Sequence, residues 1–210
     1  MLKQVTMPKV VFKYFNIKGL GEGGRMLLAY GGVGFEDHRV TEEEWLDLKP
    51  QTPFGQLPVL EIDGKQYAQS LAIYRYLGRK FGLAGEDTEE DFQIDQAIDF
   101  FYDIRLKAAE VFHETDEELQ AKMQDDLVTN YYPIVLKKLD DIIIENNGHL
   151  AAGKLTWADF LFAGMYDCFK MVLGIPDLDE KYPSFKKLHH TVVSLPGVEE
   201  YCKNAPKCEF

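Results

Sequence analysis

The chain has 210 residues, with 23 Lys plus Arg against 35 Asp plus Glu and a formal net charge of −12. That length fits one large domain or two small ones, and an apolar share of 46% beside a charged share of 28% belongs to a soluble globular protein rather than a disordered one. The acidic balance argues against a nucleic-acid backbone or an anionic membrane surface as main partner, and no apolar run approaches the ~20 residues that span a bilayer.

The predicted elements begin with a β-branched and aromatic run, Val-Val-Phe-Lys-Tyr-Phe at 10–15, which reads as a strand. Residues 22–33 carry Met26, Leu27, Leu28 and Tyr30 and end in glycines, a helix with a Gly stop. Residues 35–40 predict a second strand, and strand–helix–strand implies a parallel pair with a right-handed crossover. Residues 57–62 and 65–68 flank Asp63-Gly64, a strong hairpin signal. A helix follows over 70–81, with Leu71, Ile73, Tyr74 and Leu77 available for burial. The order βαβ then ββα is a small mixed sheet with helices.

From Thr88 onward the pattern is helical. Thr88 and Asp91 resemble a capping box, and apolar residues recur from Phe92 to Val111. Residues 117–146 predict a second long helix closed by Asn-Asn-Gly. Thr156-Trp157-Ala158-Asp159 opens a third, Tyr182-Pro183 a fourth, and Pro196-Gly197 sets off a fifth. The charge divides with the periodicity: residues 1–84 carry a net +2 and residues 85–210 a net −14. The change falls in the polar stretch 83–91, read as a boundary between an α/β unit at 1–84 and an all-helical unit at 88–210.

Residues 1–9 hold no apolar stretch of the ~7–15 residues a secretory leader needs, so none is expected. The three cysteines, Cys168, Cys202 and Cys208, form no CxxC, which reads as reduced thiols in a cytoplasmic setting. The five histidines show no metal-ligand spacing, and no metal is expected. Gly19-Leu20-Gly21-Glu22-Gly23-Gly24 satisfies the dinucleotide fingerprint G-x-G-x-x-G. The hairpin that follows, and only about 80 residues of α/β pattern, fit poorly with a nucleotide-binding sheet. The competing reading is a flexible strand-to-helix turn that lets backbone approach a ligand. A thioredoxin-like βαβ-ββα layout fits better. Dithiol members of that fold need a CxxC at the first helix, where the dipole lowers the thiol pKa; this stretch has no Cys, and Tyr14 at the end of the first strand is the candidate for the chemistry.

Tyr14-Phe15-Asn16, Trp45, Lys49-Pro50, the run Pro53-Phe54-Gly55-Gln56-Leu57-Pro58-Val59-Leu60-Glu61, Gln69-Ser70-Leu71-Ala72-Ile73 and Thr156-Trp157-Ala158-Asp159 occur in this order. Together they resemble a cytosolic glutathione transferase of the sigma class. Residues 62–70, Ile-Asp-Gly-Lys-Gln-Tyr-Ala-Gln-Ser, are most similar to insect members. The resemblance spans nearly the whole chain. It implies a homodimer that binds glutathione as co-substrate through the first domain and a hydrophobic electrophile against the helical one.

By the resemblance, Tyr14 is the catalytic residue, donating a hydrogen bond that favours the glutathione thiolate. Pro58 matches a cis-proline that leaves the Leu57 backbone free to pair with the ligand's cysteinyl backbone, as in β-augmentation. Gln56, Gln69 and Ser70 belong to the same site, with Ser70 a plausible cap whose helix N-terminus suits the γ-glutamyl carboxylate. Trp45 and Lys49, on the loop after the second strand, take the glycyl end. Asp103 matches an Asp that reaches the α-amino group of glutathione bound by the other subunit. Asp99 and Asp103 lie where relatives hold a divalent cation, but Tyr102 replaces a third Asp, so no comparable site is expected. Thr156 and Asp159 match a structural capping box.

The electrophile pocket is expected to use Phe15, Ile17, Leu20, Tyr102, Arg105, Leu106, Met165 and Phe210. Leu20 stands where the prostaglandin D synthases of the class carry an Arg, which counts against that isomerase activity. A mostly apolar pocket with one Arg suits electrophiles with an alkyl body, such as lipid-peroxidation aldehydes, besides xenobiotics and organic hydroperoxides. The alternatives are a prostaglandin D synthase-type isomerase and a non-enzymatic binding or crystallin-like protein.

Overall fold

The structure is a computed structural model and describes residues 7–208. Strands β1 (Val10–Phe15), β2 (Glu36–Val40), β3 (Val59–Ile62) and β4 (Lys65–Ala68) form one sheet in the order β2-β1-β3-β4. The β1–β2 pair is parallel and the other two are antiparallel. Helix α1 (Gly19–Tyr30) makes the crossover, and α3 (Ser70–Lys80) follows the hairpin. A short helix, α2 (Glu42–Leu48), and a 3-10 turn at Lys49–Gln51 lie between β2 and β3. Trp45 and Lys49 therefore sit on helical turns, not on a plain loop. The signal for α2 was present: Thr41 caps it, accepting from the Glu44 N–H at 3.2 Å, and three glutamates fill a first turn where anions are favoured.

The helical part holds α4 (Thr88–Phe112), α5 (Glu117–Asp126), α6 (Tyr132–Glu145), α7 (Trp157–Leu173), α8 (Leu178–Lys181), α9 (Pro183–Val193) and α10 (Val198–Asn204). The expected long helix over 117–146 is α5 and α6 joined by a π-helical segment, Leu127–Tyr131. Pro133 lies in the first turn of α6; it lacks an N–H and its ring crowds the preceding turn, which wider winding relieves. The cap of α4 is Asp87, accepting from the Glu90 N–H at 2.9 Å, rather than Thr88. The Asp91 carboxylate turns back instead to the Gly85 N–H at 3.0 Å.

The α/β and helical parts are locked together by glycines. A Cβ on Gly164 of α7 would lie 2.2 Å from the Gly23 backbone nitrogen, and one on Gly23 2.3 Å from the Phe160 carbonyl oxygen. Backbone of α1 thus runs directly against backbone of α7. Nearby, Trp157 packs where a Gly78 Cβ would stand, 2.6 Å away, and its N–H donates to the Leu83 carbonyl at 2.9 Å. The Arg75 guanidinium covers the Trp157 ring and pairs with Asp95 at 2.7 Å.

Asp159 is fully buried at the start of α7. It accepts from the Thr156 N–H at 2.7 Å and the Leu150 N–H at 2.8 Å. His149 Nδ1 lies 3.3 Å from the same carboxylate, which raises the imidazole pKa. The carboxylate thus joins the 149–156 segment to its helix.

Two substitutions test this framework. Gly164→Ala sets a methyl against rigid backbone and is expected to lower unfolding stability by about 3 kcal/mol; an unchanged denaturation midpoint would contradict the close α1–α7 contact. Asp159→Ala strands two buried N–H groups and is expected to cost about 2–4 kcal/mol, measured the same way, with specific activity kept in the folded fraction.

Candidate active site

Two adjoining cavities open where the end of β1 meets the start of α1. They share Phe15, Leu20 and Arg105 in their walls. The first, about 440 Å³, gathers Trp45, Lys49, Gln56, Leu57, Gln69 and Ser70, with Gly55 and Tyr102 beside them. The second, about 320 Å³, is lined by Tyr14, Ile17 and Met165, and by Gly19, Ala109, Phe112, His113, Cys168, Met171 and Val172.

Tyr14 is 7% exposed. Its ring lies against α1 only because two positions there have no Cβ: one on Gly21 would fall 2.3 Å from the ring, and one on Gly19 2.9 Å from the hydroxyl. The glycine cluster is therefore the first two turns of α1 itself, not a flexible turn. Helix α1 starts at Gly19, three residues earlier than Glu22, because buried contacts outweigh the ~1 kcal/mol each glycine costs a helix. The Leu20 N–H donates to the Tyr14 hydroxyl oxygen at 3.2 Å, and the Tyr74 hydroxyl donates to the Leu20 carbonyl at 3.2 Å, fixing that turn. Burial raises the Tyr14 pKa, while the Leu20 N–H and the Arg105 charge oppose the rise. The phenol thus stays protonated, with one lone pair occupied and its hydrogen free to donate.

The segment between β1 and α1 is held from below by Arg25, fully buried on α1. Its guanidinium donates to the Ile17 carbonyl at 2.9 Å and the Phe15 carbonyl at 3.1 Å. Glu22 at 3.1 Å and Asp37 at 2.8 Å balance its charge, and its Cζ lies 5.8 Å from the Tyr14 ring centroid. Tyr201 of α10 donates to the other Glu22 oxygen at 3.1 Å.

In the first cavity, Leu57-Pro58 is a cis peptide; Leu57 faces the cavity and Pro58 is buried behind it. Gln69 takes φ +73°, a left-handed conformation costly for a non-glycine residue, and is itself the cap of α3, with Ser70 the first helical residue rather than the cap. Gln69 Nε2 donates to Gln56 Oε1 at 3.1 Å. Phe15 meets Trp45 edge-on at 5.6 Å. A helix N-terminus, Lys49 and Arg105 give this cavity a cationic character suited to carboxylates.

Not every expected residue falls in its place. Tyr102 lines the first cavity instead of the second. Leu106 lines neither and is 48% exposed on α4; one residue past Arg105 turns a side chain about 100° away. Asp103 is exposed on α4 and meets neither cavity of its own chain. Phe210 lies outside the described residues. The lining that sequence reasoning missed follows helical spacing from two residues it named: Ala109, Phe112 and His113 continue from Arg105 on α4, and Cys168, Met171 and Val172 from Met165 on α7. Extending that spacing from Arg105 and Met165 would have found them.

A thioredoxin-like sheet joined to a helical part, with a cavity suited to carboxylates beside an apolar one, fits a protein that holds a small anion next to a hydrophobic ligand. Known proteins agree. "Glutathione S-transferase, N-terminal domain" matches residues 10–79, and "Glutathione S-transferase, C-terminal domain" matches residues 102–205. Glutathione S-transferase 2 of Manduca sexta is 59% identical over 204 residues, covering 97% of this chain and 100% of that one. Hematopoietic prostaglandin D synthase of Gallus gallus is 36% identical over 202 residues, covering 96% of this chain and 98% of that one. A solved structure titled prostaglandin synthase D of Nilaparvata lugens superposes with a TM-score of 0.89 at 42% identity, covering 95% of this chain and 100% of that one. The chain belongs to the glutathione S-transferase family, enzymes that use glutathione as co-substrate.

Gly21→Ala tests the seating of Tyr14. The added methyl must displace the ring, so the conjugation rate is expected to fall at least about 10-fold while helix content is retained; an unchanged rate would contradict it.

Proposed function

We propose that Tyr14 activates glutathione for attack on hydrophobic electrophiles held in the apolar cavity. The observation that carries this is the protonated, buried Tyr14 hydroxyl, braced by the Leu20 N–H where the two cavities meet. A free thiol has a pKa of about 8.5, and lowering it by ~2 units requires about 2.7 kcal/mol of preferential stabilisation of the thiolate. A hydrogen bond from a preorganised phenol in a water-poor site supplies stabilisation of that kind.

In this reading glutathione occupies the cationic cavity. Its γ-glutamyl carboxylate meets the N-terminus of α3 at Gln69 and Ser70, its cysteinyl backbone pairs with Leu57, and Trp45 and Lys49 hold the glycyl end. The thiolate then adds to the β-carbon of an α,β-unsaturated aldehyde, whose π pair moves to the carbonyl oxygen before the α-carbon is protonated. Alternatively it displaces halide from an activated aromatic carbon, or it cleaves the O–O bond of a hydroperoxide, releasing the alcohol and a glutathione sulfenic acid that a second glutathione converts to disulfide and water. None of these routes forms a covalent intermediate on the protein. The apolar lining and the single Arg105 favour lipid-peroxidation aldehydes and similar xenobiotics. Leu20, with no side-chain donor at the shared wall, disfavours prostaglandin isomerisation.

The protein is a cytoplasmic homodimer of the sigma class in this reading, with domains at 1–84 and 88–210, and Asp103 of the partner subunit takes the α-ammonium of glutathione. Exposed Phe54, Tyr67 and Tyr76 surround an apolar cavity of about 390 Å³ on the flank of β4 and α3, a surface suited to a subunit contact.

Tyr14→Phe is expected to lower kcat/KM for conjugation of 1-chloro-2,4-dinitrobenzene at pH 7 by about 100-fold; full retention of rate would overturn the role of Tyr14. Sedimentation is expected to give a dimer, and Phe54→Ser with Tyr76→Ser to weaken it and raise KM for glutathione together. A monomeric wild type with an ordinary KM for glutathione would contradict the shared site.

A further inference from the structure

His113 takes no part in the proposed binding of glutathione, yet it lines the apolar cavity with Tyr14, Leu20 and Arg105. It caps α4, its backbone N–H donating to the Ala109 carbonyl at 3.0 Å. Gln120 of α5 reaches back across this end of the helix, donating to the carbonyls of Val111 at 3.0 Å, Phe112 at 3.3 Å and Glu114 at 3.3 Å. The imidazole meets the Phe112 ring edge-on at 5.3 Å. The nearest carboxylate in sequence, Glu114, is occupied elsewhere, accepting from the N–H groups of Thr115 at 2.7 Å and Asp116 at 3.0 Å. Among the described residues, the titratable or charged side chains lining this cavity are Tyr14 from β1, Arg105 from α4, Cys168 from α7 and His113 itself.

Conjugate addition has a proton requirement that aromatic substitution lacks. When the thiolate forms its bond to the β-carbon of an enal, the π pair moves to the carbonyl oxygen as an enolate, and a proton must reach the α-carbon, directly or through the enol. Substitution on a chloroarene instead expels chloride and takes up no proton. Arg105 can offset charge on the enolate oxygen but keeps its own protons. The Tyr14 hydrogen is directed at sulfur in the proposed mechanism. The Cys168 sulfur accepts from the Gly19 N–H at 3.3 Å, and burial holds its proton on. Imidazole is the side-chain type that gives and regains a proton near neutrality.

We propose that His113 is a catalytic acid that delivers the proton completing addition of glutathione to α,β-unsaturated aldehydes. This rests on the reading of the two cavities as the glutathione and electrophile sites. The proton of the glutathione thiol leaves to solvent when the thiolate forms, His113 protonates the adduct, and solvent reprotonates the imidazole, so glutathione and enal combine without net loss or gain.

The test compares wild type with His113→Ala and His113→Gln, using 4-hydroxynon-2-enal and 1-chloro-2,4-dinitrobenzene as electrophiles. The ratio of kcat for the enal to kcat for the chloroarene is expected to fall about 10- to 100-fold in both variants. Added imidazole is expected to restore the enal rate of His113→Ala and leave its chloroarene rate where it was. An unchanged ratio, or a fall that is equal for both electrophiles and deaf to imidazole, overturns the role of His113 while the site reading stands. A wild type that conjugates neither electrophile overturns the site reading, and this proposal with it.

Discussion

The first two turns of α1 set buried glycines at positions 19, 21, 23 and 24, and the rest of the structure closes around that bare surface. Added Cβ atoms would collide with the Tyr14 ring at Gly21, the Phe12 ring at Gly24 (2.6 Å), and the Phe160 carbonyl at Gly23. One stretch of bare helix therefore admits the strand carrying Tyr14, the core of the sheet and the backbone of α7. In isolation so many glycines would disfavour a helix. Here the burial of Phe12, Tyr74 and Phe160, all essentially inaccessible, outweighs that cost. The same approach fixes where the helical part sits, and so where Met165 and Cys168 face Tyr14.

Electrostatics follow from the packing. Because Tyr14 is pressed against the start of α1, its hydroxyl is desolvated and remains a donor, while the Leu20 N–H orients it. Beneath it, Arg25, Glu22, Asp37 and Arg39 form a charge-balanced cluster: Arg39 meets the second Asp37 oxygen at 2.9 Å and also binds Asn16 Oδ1 at 3.0 Å. Buried ions are costly unless paired and hydrogen-bonded, and the donations from Arg25 to the Phe15 and Ile17 carbonyls hold in place a residue that lines both cavities and one that lines the apolar cavity. The charge split along the chain has a physical counterpart. The cationic cavity draws mainly on the near-neutral first part, and the acidic excess lies in the helical part, where carboxylates such as Glu117 and Glu118 are exposed.

Much of this was legible in the sequence where a local pattern reports a local structure. The strands, marked by β-branched and aromatic runs, the Asp63-Gly64 hairpin and the periodic helix from Phe92 to Val111 were legible because each signal is local, whereas 117–146 read as one helix where the chain forms two around a π-helical segment. The cavity containing Trp45, Lys49, Gln56, Leu57, Gln69 and Ser70 was legible through resemblance, since those residues lie in short motifs. Helix α2 escaped because it buries no residue and carries no apolar period. Leu106 was misplaced and Ala109, Phe112, Met171 and Val172 overlooked because the apolar cavity exists only where faces of α4 and α7 converge, a relation no single segment encodes. The glycines of α1 misled most: read as freedom of the backbone, they are instead an absence of side chain that close packing requires.

In the proposed mechanism this packing leaves Tyr14 poised to stabilise a thiolate in the neighbouring cavity. Ultraviolet titration of glutathione bound to the wild-type protein measures that directly, through the thiolate absorbance followed against pH. The bound thiol is expected to ionise ~2 units below free glutathione. A bound thiol that titrates where free glutathione does would contradict it.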